Sequence, residues 1–158
     1  MTHDTPPQPL YLGAAGFTQQ APRAPLSPLP PLSLYIHIPW CVRKCPYCDF
    51  NSHTASPVLP EDEYVDALLA DLDQDLHAVY GRELSSIFFG GGTPSLFSAA
   101  SLGRLLAGVE ARIPFASDIE ITLEANPGTF EQEKFVAYRK LGINRLSIGI
   151  QSFQEEKL

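Results

Sequence analysis

The apolar positions of this chain switch repeatedly between the period of a strand and the period of a helix. Four segments alternate with a period of two or are continuously apolar, as buried strands are, and they span residues 34–38, 84–89, 118–124 and 145–150. Apolar stripes with helical spacing separate them, at residues 65–79 and 102–113 and after Thr129. The order βαβαβαβ predicts parallel strands joined by right-handed crossovers.

Each predicted helix carries signals for its ends. The segment 60–63 places proline early and three acids in the first turn of the first helix. Ser98 is a typical N-cap residue for the second helix. Thr129 and Gln132 form a capping box for the third helix, and Gly142 closes it.

One face of three predicted strands is polar, although parallel strands are normally apolar on both faces. The polar positions are Tyr35 and His37 in the first strand, Glu120, Thr122 and Glu124 in the third, and Ser147, Gly149 and Gln151 in the fourth. A packed barrel fills its interior with branched apolar side chains. We therefore expect a wide or partly open barrel lined for a polar ligand, with an open sheet that has one solvated face as the alternative.

Length limits how much of such a barrel this chain can form. A complete (β/α)₈ barrel needs about 200 residues or more, whereas these 158 residues contain four predicted strands. The expected fold is α/β: a partial parallel (β/α) barrel of about four βα units, residues 34–158, from the N-terminal part of a longer protein. Residues 1–33 hold eight of the 15 prolines and two charged side chains, Asp4 and Arg23, which predicts a flexible leader.

Charge and composition exclude some functions. The chain has 18 acidic and 11 basic residues, giving a net charge of −7. Such an acidic balance argues against nucleic-acid binding, which needs a basic surface to neutralise phosphates. No apolar run reaches the length of a membrane span. Clustered thiols without a secretory signal lead us to expect a cytoplasmic location, where thiols stay reduced.

The three cysteines of the chain, Cys41, Cys45 and Cys48, lie in one C-x3-C-x2-C motif. An odd number of thiols within eight residues fits a disulfide framework poorly. Three thiolates can hold a four-iron, four-sulfur cluster and leave one iron open to a small molecule, since four cysteines would complete its coordination. A zinc site with His37 or His53 as the fourth ligand is the alternative, although zinc ligands usually come in two separated pairs.

Other polar and flexible residues follow the remaining strands. Three glycines, residues 90–92, follow the second strand, and Glu124 and Gln151 stand at the ends of the third and fourth strands. Ligands of parallel α/β folds bind at the carboxyl ends of the strands. Because the cysteine motif follows the first strand, these residues are expected to meet around one site. Each feature alone is weak, but their coincidence at successive strand ends is specific.

These motifs resemble those of the radical S-adenosylmethionine (SAM) superfamily, and most closely its coproporphyrinogen-oxidase-like branch. The resemblance covers about residues 33–154 and rests on the order and spacing of four motifs, which lie at residues 35–48, 88–95, 124–127 and 147–152. It implies that Cys41, Cys45 and Cys48 ligate a [4Fe-4S] cluster whose open iron binds the methionine portion of SAM. In the family, an electron from the cluster cleaves SAM to a 5′-deoxyadenosyl radical.

The resemblance also implies which residues bind SAM. The implied set is Tyr35, Tyr47, Gly91, Gly92, Thr93, Glu124 and Gln151. Tyr35 is expected near the methionine or the cluster, and the backbone around Tyr47 is expected at the adenine. The glycines and Thr93 would hold the methionine end, while Glu124 and Gln151 would contact the ribose and methionine portions.

One position separates two subfamilies within this branch. Oxygen-independent coproporphyrinogen III oxidases carry another cysteine two residues after the third, whereas this chain has Phe50 there. The segment 45–52 is instead similar to the HemW subfamily of haem chaperones. That similarity implies haem binding in the full-length protein, transfer to an acceptor protein that can be membrane-associated, and an electron donor. The alternative is the oxidase of porphyrin biosynthesis, whose activity the chain is expected to lack.

Overall fold

The computed structural model describes residues 28–126 and 132–157. Four strands and three helices follow one another in the order that the sequence pattern predicts, and two short strands are additional. The elements are β1 (Leu32–Ile38), β2 (Trp40–Cys41), β3 (His53–Thr54), α1 (Glu61–Val79), β4 (Leu84–Gly91), α2 (Ala99–Glu110), β5 (Phe115–Ala125), α3 (Gln132–Lys140) and β6 (Arg145–Ile148). The predicted capping residue Thr129 and residues 1–27 of the predicted leader lie outside the described residues.

Four strands form one parallel sheet in the order β1-β4-β5-β6. The register places Tyr35 opposite Phe88, and Phe88 opposite Thr122. The α/β fold with a parallel sheet, expected from the alternating pattern, is therefore confirmed. The described strands form an open sheet, as a partial barrel requires.

The predicted bounds of all four strands need correction. β1 begins at Leu32, so two residues assigned to the leader belong to the sheet, because Leu32 continues the alternation and pairs with Leu84. β4 ends at Gly91 rather than residue 89, so Gly90 and Gly91 belong to the strand. β5 begins at Phe115 rather than residue 118. β6 ends at Ile148 rather than residue 150, because the backbone turns there and Gln151 adopts a φ of 66°.

The hydrophobic core lies between the apolar face of the sheet and helices α1 and α2. Its buried members come from the predicted stripes, and they include Ile36, Ile38, Ile87, Phe89, Ile121 and Leu123 from strands and Val65, Leu102, Leu105 and Val109 from helices. Ser98 caps α2 as predicted, accepting a hydrogen bond from the amide of Ser101 at 3.1 Å. The bidentate contact of Arg112 with Asp73 joins the turn after α2 to α1 and lowers the pKa of the Asp73 carboxyl.

The opposite face of the sheet is only partly polar and open. Tyr35 is 56% exposed, whereas Thr122 on the same face is 1% exposed. On the apolar face, where Leu146 pairs with the core residue Leu123, the β6 side chains Leu146 and Ile148 are exposed too, since β6 is the edge strand of the described sheet. Within the described ranges, no helix combines the length and apolar character that crossing a membrane requires.

Two-residue strands β2 and β3 were not predicted, because a run of two residues has no measurable period. β2 belongs to a segment, residues 38–41, whose successive carbonyl groups accept hydrogen bonds alternately from two neighbouring parts of the chain. The four N–H donors lie 2.7–2.8 Å from these oxygens: Gly92 to Ile38, His53 to Pro39, Thr93 to Trp40, and Ala55 to Cys41. The segment that leads into the cysteine motif is therefore fixed to both the glycine run and the far end of the cysteine loop.

Gly92 is required by the closeness of this contact. A Cβ atom at Gly92 would lie 2.6 Å from the carbonyl oxygen of Trp40, which is well inside van der Waals contact. The obstacle is backbone, which cannot rotate away as the end of a side chain can. The third glycine of the run therefore has a packing reason that is independent of any ligand.

Tyr138 of α3 connects that helix to the turn that follows the glycine run. Its side chain is 1% exposed. The hydroxyl lies 2.6 Å from the carbonyl oxygen of Phe97 and 3.0 Å from that of Ser95, so its single proton is shared between two buried acceptors. The hydroxyl thus joins the turn at residues 94–97 to α3 by hydrogen bonds.

We predict that Tyr138→Phe lowers the free energy of unfolding by about 1–3 kcal/mol, because it leaves buried carbonyl groups without this donor. Urea denaturation followed by circular dichroism measures the change. Tyr80→Phe is the matched control, since Tyr80 is 92% exposed and its variant should unfold as the parent does. Equal stability of the Tyr138 variant and the parent would contradict the assigned role.

We predict that Gly92→Ala destabilises the protein by about 1–3 kcal/mol, since the added methyl group forces apart two hydrogen-bonded backbone segments. The same denaturation experiment measures it. Gly103→Ala is the control: its added Cβ would meet the movable tip of Leu141, and alanine favours a helix interior. If both variants are equally stable, the contact with Trp40 is not a constraint.

Candidate functional site

A cavity of about 780 Å³ lies at the carboxyl ends of the strands. Four groups of residues line it, namely the cysteine loop, the end of the glycine run, the residues after β5 and the residues after β6. They include Cys41, Cys45, Tyr47, Cys48, Phe50, Gly91, Gly92, Thr93, Glu124, Asn126, Ser147, Gly149 and Gln151. The fold thus brings nine of the ten predicted site residues to one cavity.

Tyr35 is the predicted site residue that does not line this cavity. Its ring stacks on that of Phe88 with centroids 6.2 Å apart, and its hydroxyl lies 3.0 Å from Nδ1 of His37. Burial, followed by the charge of Glu124, raises the pKa of the Tyr35 hydroxyl. The hydroxyl therefore keeps its proton at neutral pH and acts as the donor to His37.

The three cysteines are free thiols, and each is half-buried at the cavity wall. The amide of Cys48 donates to the carbonyl of Cys45 at 3.1 Å, which closes a tight turn between the second and third cysteines. Among the described residues, no group of three or more His, Cys, Asp and Glu side chains is placed so that it could hold a single metal ion. Because each thiolate of a four-iron cluster binds a separate iron, a cluster does not require the sulfurs to converge on one point.

The cysteine loop is held in shape by two side chains that bind three successive carbonyl groups. Nζ of Lys44 donates to the carbonyls of Phe50 and Ser52, both at 3.0 Å. Nε2 of His37 lies 2.7 Å from the carbonyl oxygen of Asn51. Since Phe50 and Ser52 flank Asn51, the returning half of the loop is fixed along its backbone.

The contacts of His37 also bear on the zinc alternative. A carbonyl only accepts, so Nε2 carries the proton and Nδ1 accepts from the Tyr35 hydroxyl. Both ring nitrogens are therefore engaged, and binding a metal would break one of these bonds. His53, the other histidine considered, is exposed on β3 and is not part of the cavity lining. These contacts favour a site built from the thiols alone.

Glu124 stands between the glycine run and the cavity. Its Oε2 atom accepts a hydrogen bond from the amide of Gly91 at 3.3 Å. Gly91 adopts a φ of 115°, a conformation that side chains disfavour, and a Cβ there would lie 2.6 Å from the ring of His37. The glycine run therefore allows the carboxylate of Glu124 to be held by backbone at the cavity wall.

Thr93 and Asn126 form a further contact at this wall. Thr93 is 5% exposed, and its Oγ1 atom accepts a hydrogen bond from Nδ2 of Asn126 at 3.1 Å. Sequence reasoning did not select Asn126. Its position two residues after Glu124, immediately beyond the end of β5, was an available signal, because alternate residues of a strand face the same way.

Gln151 and the aromatic residues complete the lining. Gln151 has a φ of 66°, the one left-handed non-glycine residue among those described, and its Nε2 atom would lie 3.1 Å from a Cβ at Gly149. Such conformations cluster at functional sites. Tyr47 is exposed at the mouth, where hydrogen bonding to Cys45 raises the pKa of its hydroxyl. Phe50 is also exposed beside the cavity.

Comparison with known proteins identifies relatives of this arrangement. The HemW heme chaperone of Escherichia coli (strain K12) is 63% identical over 130 residues, which are 82% of this chain and 34% of that protein. The HemW protein of Haemophilus influenzae is 59% identical over 134 residues, 82% of this chain and 35% of that protein. An oxygen-independent coproporphyrinogen III oxidase of Cereibacter sphaeroides is 37% identical over 153 residues, 95% of this chain and 34% of that protein.

A solved structure has the same fold. The coproporphyrinogen III oxidase HemN from Escherichia coli, described as a radical SAM enzyme, matches with a TM-score of 0.73 and 36% identity over 80% of this chain and 29% of that chain. The chain thus spans about a third of the length of these relatives, 34% for both the E. coli HemW protein and the C. sphaeroides oxidase. The family model of the radical SAM superfamily matches residues 35–158. This chain belongs to the radical SAM superfamily.

Proposed function

We propose that this chain is the cofactor-binding part of a radical SAM haem chaperone. The observation that carries the proposal is that three free thiols of one loop line the same cavity as a glycine run and the Glu124 carboxylate. The 63% identity to a HemW heme chaperone supports the haem-related part. We also propose a cytoplasmic location, because the thiols need a reducing compartment.

The donor set fits a [4Fe-4S] cluster. Cys41, Cys45 and Cys48 would hold it, and the loop backbone is already fixed by Lys44 and His37. When bound through three thiolates, a cluster supplies an electron and an iron with an open coordination position. The positive charge of Arg43, which also lines the cavity, favours the deprotonated thiolates that cluster binding requires.

The remaining cavity wall fits S-adenosylmethionine. Its amino acid portion has a positive and a negative group, and the wall offers the acceptor Glu124 and the hydroxyl of Thr93. Glu124 would bind the amino group through its carboxylate, whose Oε2 atom accepts a hydrogen bond from the Gly91 amide. Gln151 would contact the ribose and methionine portions, and the backbone around Tyr47 the adenine. Tyr35 would act from outside the lining, through His37 and the cysteine loop.

Phe50 separates the two candidate functions. Oxidases of this branch carry a further cysteine at this position, and the side chain of Phe50 lies exposed beside the cavity. We therefore propose haem binding and transfer to an acceptor protein, in the full-length protein, rather than decarboxylation. Oxygen-independent coproporphyrinogen III oxidase is the second candidate, and the structural match to HemN favours it. An electron donor and a membrane-associated acceptor belong to the same proposal.

We predict that replacing Cys41, Cys45 or Cys48 by Ala abolishes stable cluster binding, because two thiolates cannot retain four irons. Iron analysis and EPR of the anaerobically reconstituted, dithionite-reduced protein measure this, and added SAM should change the EPR signal of the parent. Ser56→Ala is a suitable control, since Ser56 is exposed and outside the cavity lining. Binding of one zinc ion without iron uptake by the parent would refute the cluster.

We predict that the full-length protein binds haem and does not decarboxylate coproporphyrinogen III, since the oxidases' additional cysteine is replaced by Phe50. Haem titration followed by absorbance measures the first part. Anaerobic incubation with SAM, reductant and substrate, followed by chromatography, measures the second, with an authentic oxidase as the positive control. Protoporphyrinogen formation above the no-enzyme background would assign this protein to the oxidases.

A further inference from the structure

We propose that Asn126 is a positioning residue that fixes the Thr93 hydroxyl as a hydrogen-bond donor toward the cavity. The inference rests on the proposed SAM site. It assigns to that site a hydroxyl donor, which favours a ligand that places a hydrogen-bond acceptor at this wall. The contact that carries it is the 3.1 Å hydrogen bond from Nδ2 of Asn126 to Oγ1 of Thr93.

Thr93 is held so that only its hydroxyl can adjust. Its amide donates to the carbonyl of Trp40 at 2.7 Å, and the residue is almost fully buried while still lining the cavity. A hydroxyl has one proton and two lone pairs. Without a neighbour, the Thr93 hydroxyl could offer a ligand either its proton or a lone pair, because rotation about the Cβ–Oγ1 bond exchanges their directions.

The amide of Asn126 removes this choice. When an N–H group occupies one lone pair of Oγ1, the hydroxyl proton points away from Asn126 and is available to an acceptor in the cavity. An aspartate at the same position would accept the proton instead, since a carboxylate cannot donate. The difference between asparagine and aspartate therefore decides whether Thr93 donates to a ligand or to its neighbour.

The neighbouring groups define what this donor recognises. Glu124 stands two residues before Asn126 and presents a carboxylate to the same cavity. An acceptor-only group beside a fixed donor fits a ligand that carries a cationic and an anionic group on one carbon atom. The carboxylate of the methionine portion is the part of SAM that the Thr93 hydroxyl would bind, because it is the acceptor next to the amino group.

A double-mutant cycle on the full-length, cluster-reconstituted protein tests this inference. The affinity for SAM is measured by anaerobic calorimetry for the parent, Asn126→Asp, Thr93→Val and the double variant. We expect Asn126→Asp to weaken binding by about tenfold or more, as loss of a hydrogen bond to a charged group does, and to have much less effect once Thr93 is Val. The charge of the new carboxylate acts in both backgrounds, so the difference between them isolates the hydroxyl.

Decarboxylated S-adenosylmethionine provides the matched ligand control, because it lacks the carboxylate. The substitution Asn126→Asp should not weaken its binding through Thr93. Circular dichroism and the cluster absorbance show that each variant folds and loads, and Asn126→Ala repeats the cycle without added charge and with a smaller expected loss. Equal losses in the Thr93 and Val backgrounds, or for both ligands, would overturn the inference while leaving SAM binding intact. Failure of the parent to bind SAM would instead refute the proposed function.

Discussion

The site depends on the backbone of residues 38–41, which is hydrogen-bonded on both sides at once. Its carbonyls alternately accept from Gly92 and Thr93, just after β4, and from residues 53 and 55 beyond the cysteine loop. Backbone hydrogen bonds form only at close contact, so the flanking segments on both sides must approach residues 38–41 closely. The absence of a side chain at Gly92 permits that approach. The cysteine motif therefore begins from a fixed point, although it is itself a loop.

A second set of contacts carries this order into the loop. Lys44 and His37 bind the carbonyls of residues 50–52, and Tyr64 donates to the backbone of His37 at 2.8 Å. Tyr64 belongs to α1, which packs on the core. A rigid element thus reaches the cysteine loop through one strand residue, so the loop has a defined shape while its thiols stay at the cavity wall. Precise placement of loop ligands by a packed scaffold is common in binding sites.

Much of this arrangement could be predicted from the sequence. The period of the apolar residues predicted the parallel strands, and the rule that ligands bind at strand ends predicted that the cysteine loop, Glu124 and Gln151 would meet. The pair β2–β3 was missed because its pairing is set by backbone bonds rather than by side-chain pattern. Asn126 was missed because its role depends on the distance to Thr93 across two strands. Tyr35 was placed on the correct strand, but its hydroxyl is directed to His37 rather than the cavity.

Alternation along the strands separates stability from chemistry in most of this chain. Ile121 and Leu123 are buried in the core, while Glu124 reaches the cavity at the end of the same strand. The core packing can therefore stay constant while the cavity wall changes. Thr93 is the exception, since it is buried as deeply as a core residue and still lines the cavity. A buried hydroxyl needs a partner, and here the partner also determines which of its hydrogen-bonding functions a ligand meets. Specificity at that point of the site thus follows from a requirement of folding.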